Sequence, residues 1–170
     1  RTAEIRRRSV WSRVAGASHT LKMKIWLLFS VVLATVALAE SSGTWTQVGA
    51  DIDGEAAWDT SGTSVSMSSD GTRVAIGAPW NDGTGPVRVY ADSGGTWTQV
   101  GADIDGDAAF DTSGTSVSMS SDGTRVAIGA IYNDGTASSA GHVRVYSESG
   151  GTWTQVGADI DGEAADDEFG

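Results

Sequence analysis

The sequence predicts an all-β fold made of one four-stranded antiparallel unit copied in tandem. Three observations carry that prediction. The segment Gly43 to Gly54 (GTWTQVGADIDG) recurs at 95–106 and at 151–162, at spacings of 52 and 56 residues. Inside the unit, small and apolar residues alternate with period two, as in Ser64-Val65-Ser66-Met67-Ser68, the pattern of a strand with two different faces. No stretch beyond residue 40 carries apolar residues at helical spacing.

Residues 43–84 and 95–136 align without gaps and differ only at Glu55/Asp107, Trp58/Phe110, Pro79/Ile131 and Trp80/Tyr132, so 38 of 42 positions match. The first strand is Ser64 to Ser68. Asp70-Gly71 then marks a tight hairpin turn, which needs positive φ. Arg73 to Ala78 is the second strand and Asn81-Asp82-Gly83 the second turn. Val87 to Tyr90 is the third strand, Ser93-Gly94-Gly95 the third turn, and Trp97 to Gly101 the fourth strand. Four short antiparallel strands in one such period match the size of a β-propeller blade. The second copy has four extra residues, Ala137 to Ala140, between its Asn-Asp-Gly turn and its third strand, where a surface loop tolerates insertion.

Alternation assigns Val65, Met67, Val74, Ile76, Val87 and Val89 to one face, and Ser64, Ser66, Ala75 and Gly77 to the other. Sheets with one bulky and one small face stack closely, large on small, and a glycine inside a strand marks close backbone approach. The chain holds two full units and the start of a third, beginning near 43, 95 and 151. A closed propeller needs about four to eight blades, so the expectation is an incomplete propeller, a fragment of a longer product whose further blades complete it.

Residues 1–39 read differently. They carry seven Lys/Arg against one Glu, whereas residues 40–170 carry four Arg, no Lys and 21 Asp/Glu, a formal charge of -17. Residues 23–39 run from a basic start at Lys22 and Lys24 through the apolar stretch Ile25 to Leu38 to the small-x-small triplet Ala37-Leu38-Ala39. This is the pattern of a signal-peptide helix cleaved after Ala39, and it is too short for a retained span. Residues 1–22 form an upstream extension or presequence. The expected location is extracellular, secreted or at the cell surface, with no membrane insertion after signal cleavage. So acidic a body repels nucleic acid, whose binding needs clustered Lys/Arg. Without cysteine, disulfide scaffolds and thiolate metal sites are excluded.

Ile76-Gly77-Ala78-Pro79, together with Phe169-Gly170 in register with Ser61-Gly62 and Ser113-Gly114, resembles the FG-GAP repeat, the blade of integrin α-chain-type propellers. The resemblance spans residues 43–170. It departs at Ser61 and Ser113, where the family has Phe, and at Ile131, where it has Pro. A kelch-type blade is the nearest rival, because Tyr90 and Trp97, like Tyr146 and Trp153, stand seven apart. The resemblance implies a non-catalytic recognition, adhesion or structural module with a protein or glycan ligand. The alternatives are a secreted enzyme on a propeller scaffold and a purely structural wall or matrix protein. It also implies a Ca²⁺ loop after the first strand, but only Asp70 and Asp122 keep a carboxylate there, which favours a plain Asp-Gly turn.

A second set of acids recurs at positions 1, 3, 5 and 9 of a loop: Asp51, Asp53, Glu55 and Asp59; Asp103, Asp105, Asp107 and Asp111; Asp159, Asp161, Glu163 and Asp167. That spacing is compatible with Ca²⁺. The glycine at position 4, rather than 6, favours solvated acids instead. Catalysis has little support, because the two histidines are His19 and His142 and neither is repeated. Trp58/Phe110 and Trp80/Tyr132 are read as plugs between blades, with a sugar-stacking platform as the second reading.

Overall fold

The computed structural model describes residues 44–170; the upstream extension, the signal peptide and the cleavage after Ala39 lie outside them. Two antiparallel sheets follow one another along the chain. Sheet 1 contains β1 (Ser64–Met67), β2 (Arg73–Gly77), β3 (Val87–Asp92) and β4 (Trp97–Gln99), adjacent in chain order. Sheet 2 contains β5 (Ser113–Met119), β6 (Arg125–Ala130), β7 (His142–Ser149) and β8 (Thr152–Gln155), with β9 (Ile160–Asp161) also paired to β7. A single 3-10 turn at Asn81–Gly83 is the helical element among the described residues. The fold is all-β. No helix in the described residues is long and apolar enough to cross a membrane.

Local chemistry sets the hairpins. The Asp70 carboxylate accepts bonds from the Ser68 hydroxyl (2.7 Å), the Thr72 amide (3.0 Å) and the Thr72 hydroxyl (2.9 Å), so one side chain closes the whole β1–β2 turn. Gly71 supplies the φ of +74° that the turn demands. Asp122 repeats the arrangement between β5 and β6. After β4 and β8 the chain leaves the sheet briefly and returns to the same edge: Ile104 bridges Val87 in sheet 1, as Ile160 pairs with Val143 in sheet 2.

The register corrects one sequence expectation. Ala75 stands opposite both Ser66 and Val89, and Gly77 opposite Ser64 and Val87. Directly opposite residues share a face, so Val87 and Val89 lie with the small residues, not with Val65, Met67, Val74 and Ile76. Arg88 and Tyr90 take their place on the bulky face, opposite Ile76 and Val74. The long connection from Ala78 to Pro86 carries no alternation that could have fixed this parity.

With that change the two sheets face each other, small side of sheet 1 against large side of sheet 2. Ala75, Val87, Val89 and Ile104 form one buried cluster with Val126 and Ile128, and Val117, Met119, Tyr146 and Trp153 pack on its margin. The spacing is close because the facing backbone is glycine. A Cβ on Gly77 would stand 2.1 Å from the Gly114 carbonyl oxygen, closer than atoms can approach. Polar links stitch the same seam: the Ser64 hydroxyl donates to the Gly114 carbonyl (2.7 Å), and the Met119 amide donates to the Ser66 hydroxyl (2.9 Å).

Candidate functional site

Each repeated acidic loop lies beside an arginine of the third strand of a sheet. Arg88 is held by Asp103, whose Oδ2 is 2.9 Å from its Nε, and by Glu55. Arg144 is held by Asp159, with bonds of 2.9 and 2.6 Å, and by Asp107. The pattern is therefore the same twice: position 1 of one loop and position 5 of the loop before it converge on one guanidinium. The middle loop divides its acids between two cations, Asp103 toward Arg88 and Asp107 toward Arg144. A glutamine four residues earlier steadies position 1 in every copy, Gln47 on Asp51, Gln99 of β4 on Asp103 and Gln155 of β8 on Asp159.

Position 9 has another task. Asp59 and Asp111 are buried and accept bonds from Asn81 Nδ2 (2.8 Å) and Asn133 Nδ2 (2.6 Å). Asp59 also takes the Ala56 amide, and Asp167 takes the amides of Glu163 and Ala164. Position 3 (Asp53, Asp105, Asp161) stays exposed. The four acids of the middle loop thus face separate partners: Arg88 at position 1, Arg144 at position 5, Asn133 at position 9 and solvent at position 3.

The electrostatics follow from these contacts. Arg144 hydrogen-bonds to Asp159 and holds its carboxyl at about 2, while Asp159 and Asp107 raise the guanidinium pKa. Burial pulls Arg88 down, but its bond to Asp103 and the charges of Asp103 and Glu55 outweigh that, and the net shift is upward. The Ser120 hydroxyl, the Thr124 amide and the Thr124 hydroxyl hold Asp122 at about 2, and the equivalent bonds lower Asp70.

The aromatic residues correct a second expectation. Trp58 is 90% exposed, Phe110 72%, Trp80 54% and Tyr132 42%, so they do not plug the space between the sheets. Trp58 and Phe110 sit at φ of +76° and +73° in the loop. The seam is instead bordered by Trp153 of β8, whose Nε1 donates to the Val100 carbonyl (2.9 Å), and Trp97 of β4 makes the equivalent bond to the Val48 carbonyl (3.0 Å), ahead of sheet 1. Each exposed pair stands beside a buried Asp–Asn pair, because the Trp80 amide bonds the Asp59 carbonyl and the Tyr132 amide the Asp111 carbonyl. That grouping was hidden in the sequence, since its members come from separate loops.

Among the described residues, one group has metal-ligand geometry: His142, Asp159 and Asp161. Sequence spacing marked its two carboxylates but not its histidine. No family model matches the chain, and no curated protein matches it.

Proposed function

We propose that the chain is a secreted or cell-surface protein of FG-GAP-like propeller blades that recognises a glycan through its repeated aromatic pairs, without catalysis. The observation that carries this reading is the exposure of Trp58 with Trp80, and of Phe110 with Tyr132, at the same place in both copies. Aromatic rings left in water beside fixed polar groups suit a ligand with flat apolar faces and hydroxyls, which is the character of a sugar ring. Repetition adds avidity, since a polymeric glycan can meet both pairs at once. Further blades of the same longer chain fit this reading. Val65 and Met67 on the outer face of sheet 1 are 62% and 54% exposed, whereas their counterparts Val117 and Met119 pack against the core.

The test is a glycan array probed with the full chain, followed by tryptophan-fluorescence titration with any glycan retained. Binding that falls at least tenfold in Trp58→Ala and in Trp80→Ala supports the reading. Binding that ignores both substitutions, or retention of a protein partner alone, overturns it in favour of the adhesion or matrix alternatives.

A further inference from the structure

His142 differs from every other polar group described so far. Its side chain is 4% exposed, and its Nδ1 is buried without a hydrogen-bond partner. It opens β7 directly opposite Asp161 of β9, and Asp159, two residues before Asp161, shares that face. Nδ1 stands 3.8 Å from Asp159 Oδ2, too far for a hydrogen bond. One ligand atom from each of His142, Asp159 and Asp161 lies within 4.8 Å of the others. Two donors bound at Zn²⁺ distances with a tetrahedral angle are separated by about 3.4 Å, so a small contraction brings the three onto one ion.

We propose that His142, Asp159 and Asp161 form a binding site for a divalent first-row transition ion of the Zn²⁺ kind. An imidazole nitrogen with two carboxylates suits that class and not Ca²⁺, which takes oxygen ligands. Three protein ligands leave a fourth position for water or a ligand atom. Arg144 bonds both oxygens of Asp159 and Gln155 bonds its Oδ1, which fixes the orientation of that carboxylate.

The site belongs to the second copy alone. Pro86 is the first copy's counterpart of His142, as Asp103 and Asp105 are of Asp159 and Asp161, and proline offers no side-chain donor. The second copy's insertion ends beside the same segment: a Cβ on Gly162, the residue after Asp161, would stand 2.0 Å from the carbonyl oxygen of Ala140, the last inserted residue. The histidine of this copy and the end of its insertion therefore both lie beside the Asp161-Gly162 segment. This inference stands apart from the glycan reading and does not depend on it.

The experiment uses the full chain freed of metal by chelation, titrated with Co²⁺ by visible absorption and with Zn²⁺ by calorimetry. The expected result is one ion per chain, with Zn²⁺ displacing Co²⁺ and Ca²⁺ failing to do so. His142→Pro installs the first copy's own residue, and Asp161→Asn alters an exposed side chain. Each should weaken binding at least tenfold. Absence of stoichiometric binding, equal displacement by Ca²⁺, or unchanged affinity in Asp161→Asn overturns the proposal. Asp161→Asn decides alone if His142→Pro fails to fold.

Discussion

A guanidinium with 5% of its side chain exposed, as Arg88 has, cannot shed its carboxylates without leaving a buried charge. Its two partners differ in what they stand to lose. The Glu55 side chain is 60% exposed and that of Asp103 30%, so solvent screens the first pair far more than the second. Asp103→Asn is expected to destabilise by about 1.5–3 kcal/mol, and Glu55→Gln by less than about 1 kcal/mol. Urea denaturation of the two variants checks the order. Acid acts on the same contacts. Asp159 and Asp122 have folded-state values of about 2, below the ordinary 3.8, and Asp70 and Glu148 are also lowered. A carboxylate whose pKa is depressed by folding contributes stability above its unfolded pKa, and that contribution is lost as pH falls through the folded value. Stability is therefore expected to hold down to about pH 4 and to fall between about 4 and 2. A pH series of melting temperatures that stays flat through that window refutes the pairing.

Strands and turns were legible because their chemistry is local. Alternation marks β1 and β2, and Asp70-Gly71 marks the turn between them with no help from distant residues. The face of β3 was not legible, because parity is lost across the connection that ends at Pro86. The site at His142 was hidden for a related reason: β9 is two residues long, carries no alternation of its own, and reaches β7 only by pairing. Of the candidate acids, their grouping in fours was visible in the repeat, but their division between Arg88 and Arg144 depends on how one sheet faces the next. The glycine expectation depends on the same stacking and can be tested there. Gly77→Ala would drive a methyl against the Gly114 carbonyl, with an expected loss of about 2–3 kcal/mol. Its backbone is not in the positive-φ region, so the loss would be steric, and chemical denaturation should show it as a lower midpoint with unchanged slope.

At the scale of the whole molecule, the charge of -17 over residues 40–170 makes the fold sensitive to ions of any kind. Where arginine already stands between positions 1 and 5, a calcium ion would have to displace a bonded guanidinium. Melting in millimolar Ca²⁺ and in NaCl of matched ionic strength is therefore expected to give equal shifts, by screening alone. A larger shift in Ca²⁺, reversed by chelator, would restore the acidic loops as calcium sites. The seam between units also bears on heredity. Trp97 meets Val48 as Trp153 meets Val100, one repeat later, so each junction is written in the motif and not in any particular pair of residues. A gene of this kind can gain or lose whole periods by unequal crossing-over, and every remaining junction still finds the neighbour it was shaped for. Copy number is then free to drift under selection for reach or valency, while a change shorter than a period is tolerated only where it falls in a surface loop, as the insertion Ala137 to Ala140 does.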